Sequence, residues 1–194
     1  MLHSRIFHVN LLETNCVLLW NDGNPACVLA DPGMSSPDIA AEVLDFIREN
    51  GLVLEAILLT HGHFDHLWGV AHILDSCPVP VYLHPADKPI QRMGTAVFRG
   101  MQSFASLRSD FPTLPVADGD TLTLGGTQWT VLGTPGHTPG SVCYLIENEL
   151  FTGDTVFDHG WGRTDLPGGS EKEMHESLRR LIPLVQKYPM HAGH

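Results

Sequence analysis

A dense group of imidazole and carboxylate side chains lies between residues 60 and 66 of the chain. It directly follows the apolar residues 56–59, which are typical of a buried strand. Neutral imidazole and carboxylate are the ligands that zinc, iron and manganese prefer in catalytic sites. Gly62 allows the backbone to turn tightly between these side chains, where a Cβ atom would crowd the site. The ligand-type residues of the group are His61, His63, Asp65 and His66.

The spacing within this group indicates how many metal ions it can serve. His61 and His63 are two positions apart, so their side chains point the same way if the strand end stays extended. Asp65 and His66 are adjacent and diverge, so the group suits two neighbouring metal ions better than one. The alternative interpretation is a histidine-rich surface loop. The apolar strand before the group and the helix-like segment after it argue against that alternative.

Further ligand-type residues occur far along the chain in the same kind of position. His137 lies in a turn with a proline and a glycine on each side, after a strand-like segment. Asp154 follows a short apolar run, again beside a glycine. His191 and His194 come after the predicted last helix. Most of these residues lie where an apolar strand gives way to a glycine-bearing loop, and loops of this kind carry the functional side chains of many enzymes.

In their order and spacing these segments resemble the metallo-β-lactamase superfamily. The resemblance spans almost the whole chain and implies a four-layer αββα sandwich of the α/β (α+β) class. Residues 134–141 and 162–165 are most similar to glyoxalase II (hydroxyacylglutathione hydrolase) and its short bacterial relatives. The segments that carry the superfamily resemblance are residues 61–66, the turns around His137 and Asp154, residues 193–194 and an early strand-end turn at residues 29–33.

The resemblance also implies two divalent metal ions, with zinc first and iron or manganese as alternatives. Three histidines would hold one ion, and an aspartate with two histidines would hold the other. A second aspartate would bridge the two ions. Near the end of the chain, His191 is an alternative to His194. The implied ligand sets are, in that order, His61, His63 and His137; Asp65, His66 and His194; and the bridging Asp154.

These ligands predict a hydrolytic reaction. A hydroxide shared by two divalent ions would be a strong nucleophile at neutral pH, because such ions lower the pKa of bound water toward ~7. The second ion could polarise a carbonyl and stabilise the tetrahedral oxyanion. Asp65 would orient the hydroxide and pass its proton to the leaving group, as the resemblance implies. A thiolate leaves readily, so we expect hydrolysis of a small thioester such as S-lactoylglutathione.

Two residues are candidate substrate contacts. Arg163 matches a basic residue that helps to hold glutathione in full-length glyoxalase II, and a guanidinium can bind a carboxylate through paired hydrogen bonds. An ion pair with Asp158 or Asp165 is the alternative for Arg163. Tyr144 is the second candidate, with packing in a strand as its alternative. We expect a single domain over residues 1–194 without the C-terminal helical glutathione-binding domain, and Asp165 replaces an aromatic residue of glyoxalase II.

Other functions share this pattern. A persulfide dioxygenase, an iron enzyme of the same superfamily, would use His61, His137 and Asp154 as a two-histidine, one-carboxylate site. Lactonase or β-lactamase activity also fits, since fold and metals alone do not select the acyl group. A non-enzymatic metal sensor belongs to a third class, which the complete set of hydrolytic ligands disfavours.

Composition narrows the partners and the compartment. The chain has 194 residues and a formal net charge of −11, which predicts one domain and disfavours a nucleic-acid substrate. Its apolar stretches are shorter than the ~20 residues that span a membrane. The first residues do not form a secretory signal, and the four cysteines form no CxxC pair, so we expect a cytoplasmic protein. The sequence does not indicate an oligomeric state.

The elements that must position these residues alternate along the chain. A helix should begin at the N-cap Ser36 and end before Gly51, and a last helix should begin at a capping box of Ser170 and Glu173. A further helix is predicted over residues 65–76. Residues 86–111 predict an ordinary helix that joins the core, with a lid over the metals as the alternative. The predicted strands are residues 7–10, 16–20, 27–30, 79–83, 121–124, 128–132, 142–146 and 150–151.

Overall fold

The computed structural model describes residues 1–93 and 108–194, and its first sheet contains six strands. In spatial order these are β1 (Leu2–His8), β2 (Asn15–Asn21), β3 (Ala26–Ala30), β4 (Val53–Leu58), β5 (Val81–Leu83) and β6 (Leu114–Pro115). The first three strands are antiparallel neighbours, whereas β3 to β6 run parallel. Parallel neighbours require crossover connections, which helices supply between β3 and β4 and between β4 and β5.

The second half of the chain forms a five-stranded sheet and a separate hairpin. Its strands are β7 (Thr121–Leu124), β8 (Thr127–Gly133), β9 (Val142–Ile146), β10 (Glu149–Gly153), β11 (Val156–Phe157), β12 (Gly160–Trp161) and β13 (Met190–Ala192). The sheet has the order β13-β10-β9-β8-β7, and β11 and β12 form a two-stranded hairpin. All neighbours in the sheet are antiparallel except β13, which runs parallel to β10.

Five helices accompany the sheets: α1 (Pro37–Glu49), α2 (Phe64–Leu67), α3 (Val70–Ser76), α4 (Lys88–Met93) and α5 (Glu171–Val185), counted over the described residues. A 3₁₀ turn at Pro85–Asp87 precedes α4. The predicted caps are confirmed, because Ser36 accepts from the Ile39 N–H and Ser170 accepts from the Glu173 N–H. Both capping contacts satisfy backbone donors that have no partner within the helix.

The αββα sandwich is confirmed by the way the strands alternate. In β2, Cys16 and Leu18 join the core beneath α1 and α3, whereas Val17 and Leu19 join the core between the two sheets. Side chains that alternate in this way allow one sheet to bury both faces. A third, smaller core lies between the second sheet and α5, where Leu181 packs. The layers are therefore helices, sheet, sheet and helix.

The helix predicted over residues 65–76 is wrong in one respect, because it breaks between α2 and α3. The Gly69 N–H donates to the Pro32 carbonyl at 2.8 Å, and the Asp65 carbonyl accepts from Asn10 Nδ2 at 2.9 Å. These two groups would bond each other in a continuous helix. A Cβ atom on Gly69 would lie 2.5 Å from Met34 Sδ, so the glycine lets the break pack against the turn after β3.

Two predicted strand boundaries also differ from the structure. The first strand covers Leu2–His8 rather than residues 7–10, since the turn to β2 begins at Val9. β5 begins at Val81 rather than Val79, because prolines at positions 78 and 80 cannot donate to a ladder. Of the predicted segment 86–111, Phe111 is buried in the core and Met93 is exposed, while residues 94–107 lie outside the described residues.

The sandwich brings several strand ends to one edge. The histidine-rich segment follows β4, His137 follows β8, Asp154 follows β10, and His194 follows β13. The two sheets are joined there by a hydrogen bond from the Val142 N–H to the Thr60 carbonyl at 2.8 Å. Another joins the Asn15 N–H at the start of β2 to the Gly193 carbonyl after β13 at 2.8 Å. The fold thus gathers the predicted ligands from both halves of the chain.

Candidate metal centre

All seven predicted ligand side chains lie in one cluster. They form three overlapping groups, and within each group the possible ligand atoms lie within 4.8 Å of one another. The cluster is largely buried, with His63 and Asp154 partly open and His194 on its exposed side. The three groups are His61, His63 and His137; His61, His66 and Asp154; and Asp65, His66 and His194.

The three histidines of the first group face one another across a narrow space. His63 Nδ1 and His137 Nε2 are 2.9 Å apart. The ring of His61 lies 4.8 Å from that of His63 and 4.9 Å from that of His137, measured between centroids. Nε2 of His61 is buried and has no hydrogen-bond partner in the described part of the chain. A buried ring nitrogen without a partner is costly unless something else occupies its lone pair.

The third group, Asp65, His66 and His194, also brings ring nitrogens together and adds a carboxylate. His66 Nε2 and His194 Nε2 are 3.3 Å apart. Asp65 Oδ2 lies 3.4 Å from His194 Nε2 and 3.7 Å from His66 Nε2. The position of His194 is fixed by the sheet, because β13 pairs with β10 and the Asn15 N–H donates to the Gly193 carbonyl at 2.8 Å.

Asp154 lies between the first and the third group, which are the two ligand groups of the proposed ions. Its Oδ1 atom is 3.3 Å from His66 Nε2, and its Oδ2 atom is 3.4 Å from both His137 Nε2 and His194 Nε2. Gly153 precedes it with a φ of 49°, in the left-handed region that glycine adopts without strain. One carboxylate therefore reaches the ligand atoms of both groups.

The outer nitrogens of the histidines are held by acceptors, which fixes the direction of the inner ones. Nδ1 of His66 lies 3.0 Å from Asp31 Oδ2, and Nδ1 of His137 lies 2.8 Å from the Arg163 carbonyl. Nδ1 of His194 lies 2.8 Å from the Leu12 carbonyl. The two carbonyls and the Asp31 carboxylate can only accept, so these Nδ1 atoms carry a hydrogen, and each ring in its neutral form directs an Nε2 lone pair inward.

The charges of the cluster divide it into two parts. Burial lowers the pKa of His61 well below its usual range, and burial with the nearby His137 ring lowers the pKa of His63 to about 4. Burial also disfavours the charged form of His66, but the Asp154 and Asp65 carboxylates outweigh it and raise its pKa well above the usual range. Without metals, His61 and His63 are neutral, and His66 keeps a proton between the Asp154 and Asp65 carboxylates.

His194 and the carboxylates complete this picture. Burial of His194 is outweighed by its contacts with Asp154 and Asp65, which raise its pKa to about 10. Burial would raise the pKa of Asp154, but His66 and His194 bring it well below the usual range. The pKa of Asp65 is lowered in the same way, against its burial. Both carboxylates are therefore ionised at neutral pH, as ligands of a cation must be.

The donor set of this cluster fits divalent cations. It contains neutral imidazole nitrogens directed inward, two ionised carboxylates and a buried Nε2 atom that lacks a partner. Imidazole and carboxylate together suit zinc, iron and manganese. The cluster thus has the chemistry of a metal centre.

A family model for the metallo-beta-lactamase superfamily matches residues 9–194. The chain belongs to the metallo-beta-lactamase superfamily. This superfamily is metal-dependent and hydrolytic, which agrees with the cluster of histidines and aspartates. In the described part of the chain, no helix combines the length and the apolar character that a membrane span requires.

Relatives within the superfamily include proteins with and without a named activity. An uncharacterized protein of Mycobacterium leprae is 35% identical over 198 residues, which covers 97% of this chain and 89% of that protein. The hydroxyacylglutathione hydrolase of Hamiltonella defensa is 35% identical over 191 residues, which covers 98% of this chain and 66% of the hydrolase. The chain thus spans about two thirds of the length of that hydrolase.

Solved structures show the same fold. The BLEG-1 B3 metallo-beta-lactamase has a TM-score of 0.86 at 31% identity, covering 99% of this chain and 91% of that one. TTHA1623, crystallised in a di-iron-bound form, has a TM-score of 0.83 at 34% identity, with 98% and 91% covered. ETHE1 from Myxococcus xanthus has a TM-score of 0.79 at 25% identity, with 99% and 75% covered.

The two predicted substrate contacts, Tyr144 and Arg163, lie outside the cluster of metal ligands. Tyr144 is fully buried between the sheets, and its hydroxyl donates to the Leu59 carbonyl at 3.0 Å. It does not line an open cleft, so the prediction is corrected to its alternative, packing in a strand.

Arg163 is exposed and forms two hydrogen bonds of 2.7 Å with Asp165. An ion pair with Asp165 was one of the predicted alternatives for this residue. A role in substrate binding stays a prediction for Arg163.

Two buried aspartates of the site were not predicted. Asp31 accepts from the Thr60 N–H at 2.8 Å and the Thr60 hydroxyl at 2.7 Å, in addition to its contact with His66. Asp87 accepts three hydrogen bonds from the loops that carry the first group of histidines. Both follow an apolar strand, β3 or β5, and this position is the signal that could have identified them.

Proposed function

We propose that this chain is a dinuclear metal hydrolase that cleaves a small thioester, with S-lactoylglutathione as the first substrate to test. The observation that carries the proposal is the position of Asp154, whose two oxygens lie 3.3 Å and 3.4 Å from histidine nitrogens of both ligand groups. A carboxylate that faces two sets of ligands suits a bridge between two cations, as two-metal hydrolases require.

In this proposal one cation takes the first group of histidines and the other takes Asp65, His66 and His194. Zinc is the preferred metal, since imidazole-rich sites with carboxylates are common for zinc. Iron and manganese are the alternatives, and a di-iron form is known for the similar protein TTHA1623. Two divalent cations held here would supply a water of lowered pKa and a Lewis acid for the substrate carbonyl.

Asp65 is the proposed proton carrier. Its carboxylate is buried and ionised, and Oδ2 lies 3.5 Å from the Thr14 hydroxyl and 3.4 Å from His194 Nε2. A fixed carboxylate at this place can accept a proton from the attacking water and pass it to the leaving group. A thiolate demands less from such an acid than an amine would, which favours thioesters over amides.

We also propose the kind of substrate, the location in the cell and the number of domains. The names of the hydroxyacylglutathione hydrolases support a glutathione thioester as substrate, with Arg163 as a contact for a glutathione carboxylate. The net charge of −11 supports a small-molecule substrate rather than a nucleic acid. Four cysteines, all free and three of them buried, support a location in the reducing cytoplasm. The length of 194 residues supports a single domain.

A mononuclear iron persulfide dioxygenase is the second candidate. The likeness to ETHE1, at 25% identity over 99% of the chain, favours it, and His61, His137 and Asp154 would supply its ligands. Against it, His63, Asp65, His66 and His194 converge on the same cluster. A mononuclear enzyme would not need these four additional ligands.

Metal-loaded protein should hydrolyse S-lactoylglutathione, followed as loss of the thioester absorbance. The purified chain is stripped with a chelator and reloaded separately with zinc, iron and manganese, and bound metal is counted for each sample. We expect two ions per chain, rapid turnover, and loss of turnover after stripping. His137→Ala should lose activity. His3→Ala changes a partly exposed histidine that pairs with Asp22, and it should keep activity.

The proposal fails if folded protein with two bound ions leaves the thioester intact. Oxygen uptake with glutathione persulfide by the iron-loaded sample would then favour the dioxygenase. The oxygen assay is run in parallel on every metal form, so each outcome assigns one of the two candidates or neither.

A further inference from the structure

Asp87 is a buried carboxylate outside the proposed ligand sets. It ends the 3₁₀ turn at Pro85–Asp87 and has no exposed surface. Its Oδ2 atom accepts from the Gly62 N–H and from the Thr138 hydroxyl, each at 2.7 Å. Its Oδ1 atom accepts from the Gly140 N–H, also at 2.7 Å. All three partners are donors, so both carboxylate oxygens accept hydrogen bonds from protein groups.

These three donors belong to the two loops that carry the first group of histidines. Gly62 lies between His61 and His63, and Thr138 directly follows His137. The backbones approach Asp87 closely, because a Cβ atom on Gly140 would lie 2.6 Å from Oδ1 and one on Gly62 would lie 2.8 Å from the Asp87 carbonyl. One anion therefore holds both loops at a fixed separation.

We propose that Asp87 is a positioning residue that fixes the His61–His63 loop against the His137 loop, and thereby sets the geometry of the first metal. The inference rests on the proposed function only in taking these histidines as metal ligands. It makes no assumption about the substrate.

The cost of burying this group supports a role beyond packing. Burial raises the pKa of the Asp87 carboxyl, and the hydrogen bonds from Thr138, Gly62 and Gly140 oppose that shift. Without the anion, three donors from two loops would converge on one point with no acceptor. Groups that orient metal ligands in this way tune affinity and geometry, although they do not touch the metal.

Asp87→Asn is the sharpest test, because it keeps the size of the side chain. The amide oxygen can replace Oδ2 and accept from Gly62 and Thr138, but the NH₂ group then faces the Gly140 N–H donor. We expect Co²⁺, used as a spectroscopic probe, to bind the first site about 10- to 100-fold more weakly, as for other groups that orient metal ligands. The visible absorption of the bound Co²⁺ should also change, because it reports ligand geometry.

Two controls separate positioning from general destabilisation. Glu55→Gln changes another carboxylate that accepts from a turn glycine, at 2.7 Å from the Gly125 N–H, far from the metal loops. Val43→Ala weakens the core beneath α1 without touching either loop. Both should keep wild-type Co²⁺ affinity and absorption, even where Val43→Ala lowers the melting temperature more than Asp87→Asn does.

Wild-type affinity and absorption in Asp87→Asn would overturn the inference. If Asp87→Asn does not fold, Thr138→Val removes a single donor from the same carboxylate and should still weaken Co²⁺ binding. Unchanged binding in that variant would also overturn it. The titration is independent of hydrolysis, so a chain that binds Co²⁺ but cleaves no thioester refutes the proposed function alone. A wild-type chain that binds no Co²⁺ refutes both.

Discussion

Asp154 is the residue on which the two ligand groups depend most directly. Its carboxylate contacts histidines of both groups, and no other acidic side chain in the described residues belongs to a ligand group with His61. An amide at this position would keep the size of the side chain but remove the negative charge. It would also leave only one oxygen to serve two cations.

Asp154→Asn should therefore lower turnover by at least about 100-fold, since a bridging ligand contributes to charge stabilisation in the transition state. We also expect the number of bound metal ions to fall from two toward one. Metal analysis and kcat measured on the same sample check the two effects together. Asp158→Asn, an exposed acid four positions further on, is the matched control and should leave both values unchanged.

At this scale the sequence identified the ligand candidates but not the residues that hold them. The histidine-rich segment is read from local spacing, and the distant candidates share a strand-end position with it. Asp31 and Asp87 also follow strands, but a lone aspartate after a strand is usually solvated. Their partners, Thr60 in one case and Gly62 with Thr138 in the other, become visible only when the loops meet in the fold.

In the loop after β12, the backbone and the side chain of Arg163 contact different partners. The Arg163 carbonyl accepts from His137 Nδ1, while its side chain extends outward to Asp165. The neighbouring Gly162 leaves room for this approach, because a Cβ atom there would lie 3.0 Å from His137 Nδ1. A side-chain substitution at Arg163 keeps the carbonyl and so should not disturb the metal centre.

Arg163→Ala should consequently affect glutathione thioesters selectively. We expect kcat/KM for S-lactoylglutathione to fall about 3- to 10-fold, since a partly exposed charge-assisted hydrogen bond contributes roughly 1 kcal/mol. For an uncharged thioester the value should stay near wild type. Arg48→Ala, which breaks a similar exposed pair with Asp45 on α1, is the control. Equal losses on both substrates would assign Arg163 a purely structural role.

Elements were predictable where local signals agreed. Caps at Ser36 and Ser170 and the strands predicted at residues 16–20 and 142–146 follow from the sequence alone. The break at Gly69 was not predictable, because the competing partners Asn10 and Pro32 come from distant turns. Strand β13 was missed because three residues carry no detectable periodicity. Its pairing with β10 is a tertiary effect, and it determines where His194 lies.

At the scale of the whole molecule, protons and metal ions compete for the same nitrogens. In the metal-free fold the pKa of His194 is raised from 6.5 to about 10, and that of His66 is raised as well. A group with a raised pKa in the folded state stabilises the fold below its unfolded pKa. That contribution is lost as the pH rises through the folded pKa. Bound cations would replace these protons and remove the dependence.

The metal-free chain should therefore lose stability between pH 6.5 and about 10, the window set by His194. The zinc-loaded chain should lose less stability over this range, because a higher pH removes protons that compete with the metal for the same nitrogens. We expect the difference between the two melting temperatures to widen by roughly 5 °C or more over this range. Thermal unfolding at a series of pH values, with chelated and reloaded protein, measures it. Parallel curves would contradict this prediction.

His66 and His194 are 128 positions apart along the chain, and this separation has a consequence during translation. At about 5–20 residues per second, a ribosome releases the histidine-rich segment many seconds before it adds β13. During that time the nascent chain can complete the first group of histidines but not the second. A translation product interrupted before β13 would therefore carry one metal ion at most, and chemistry that needs two would begin only after β13 has been added.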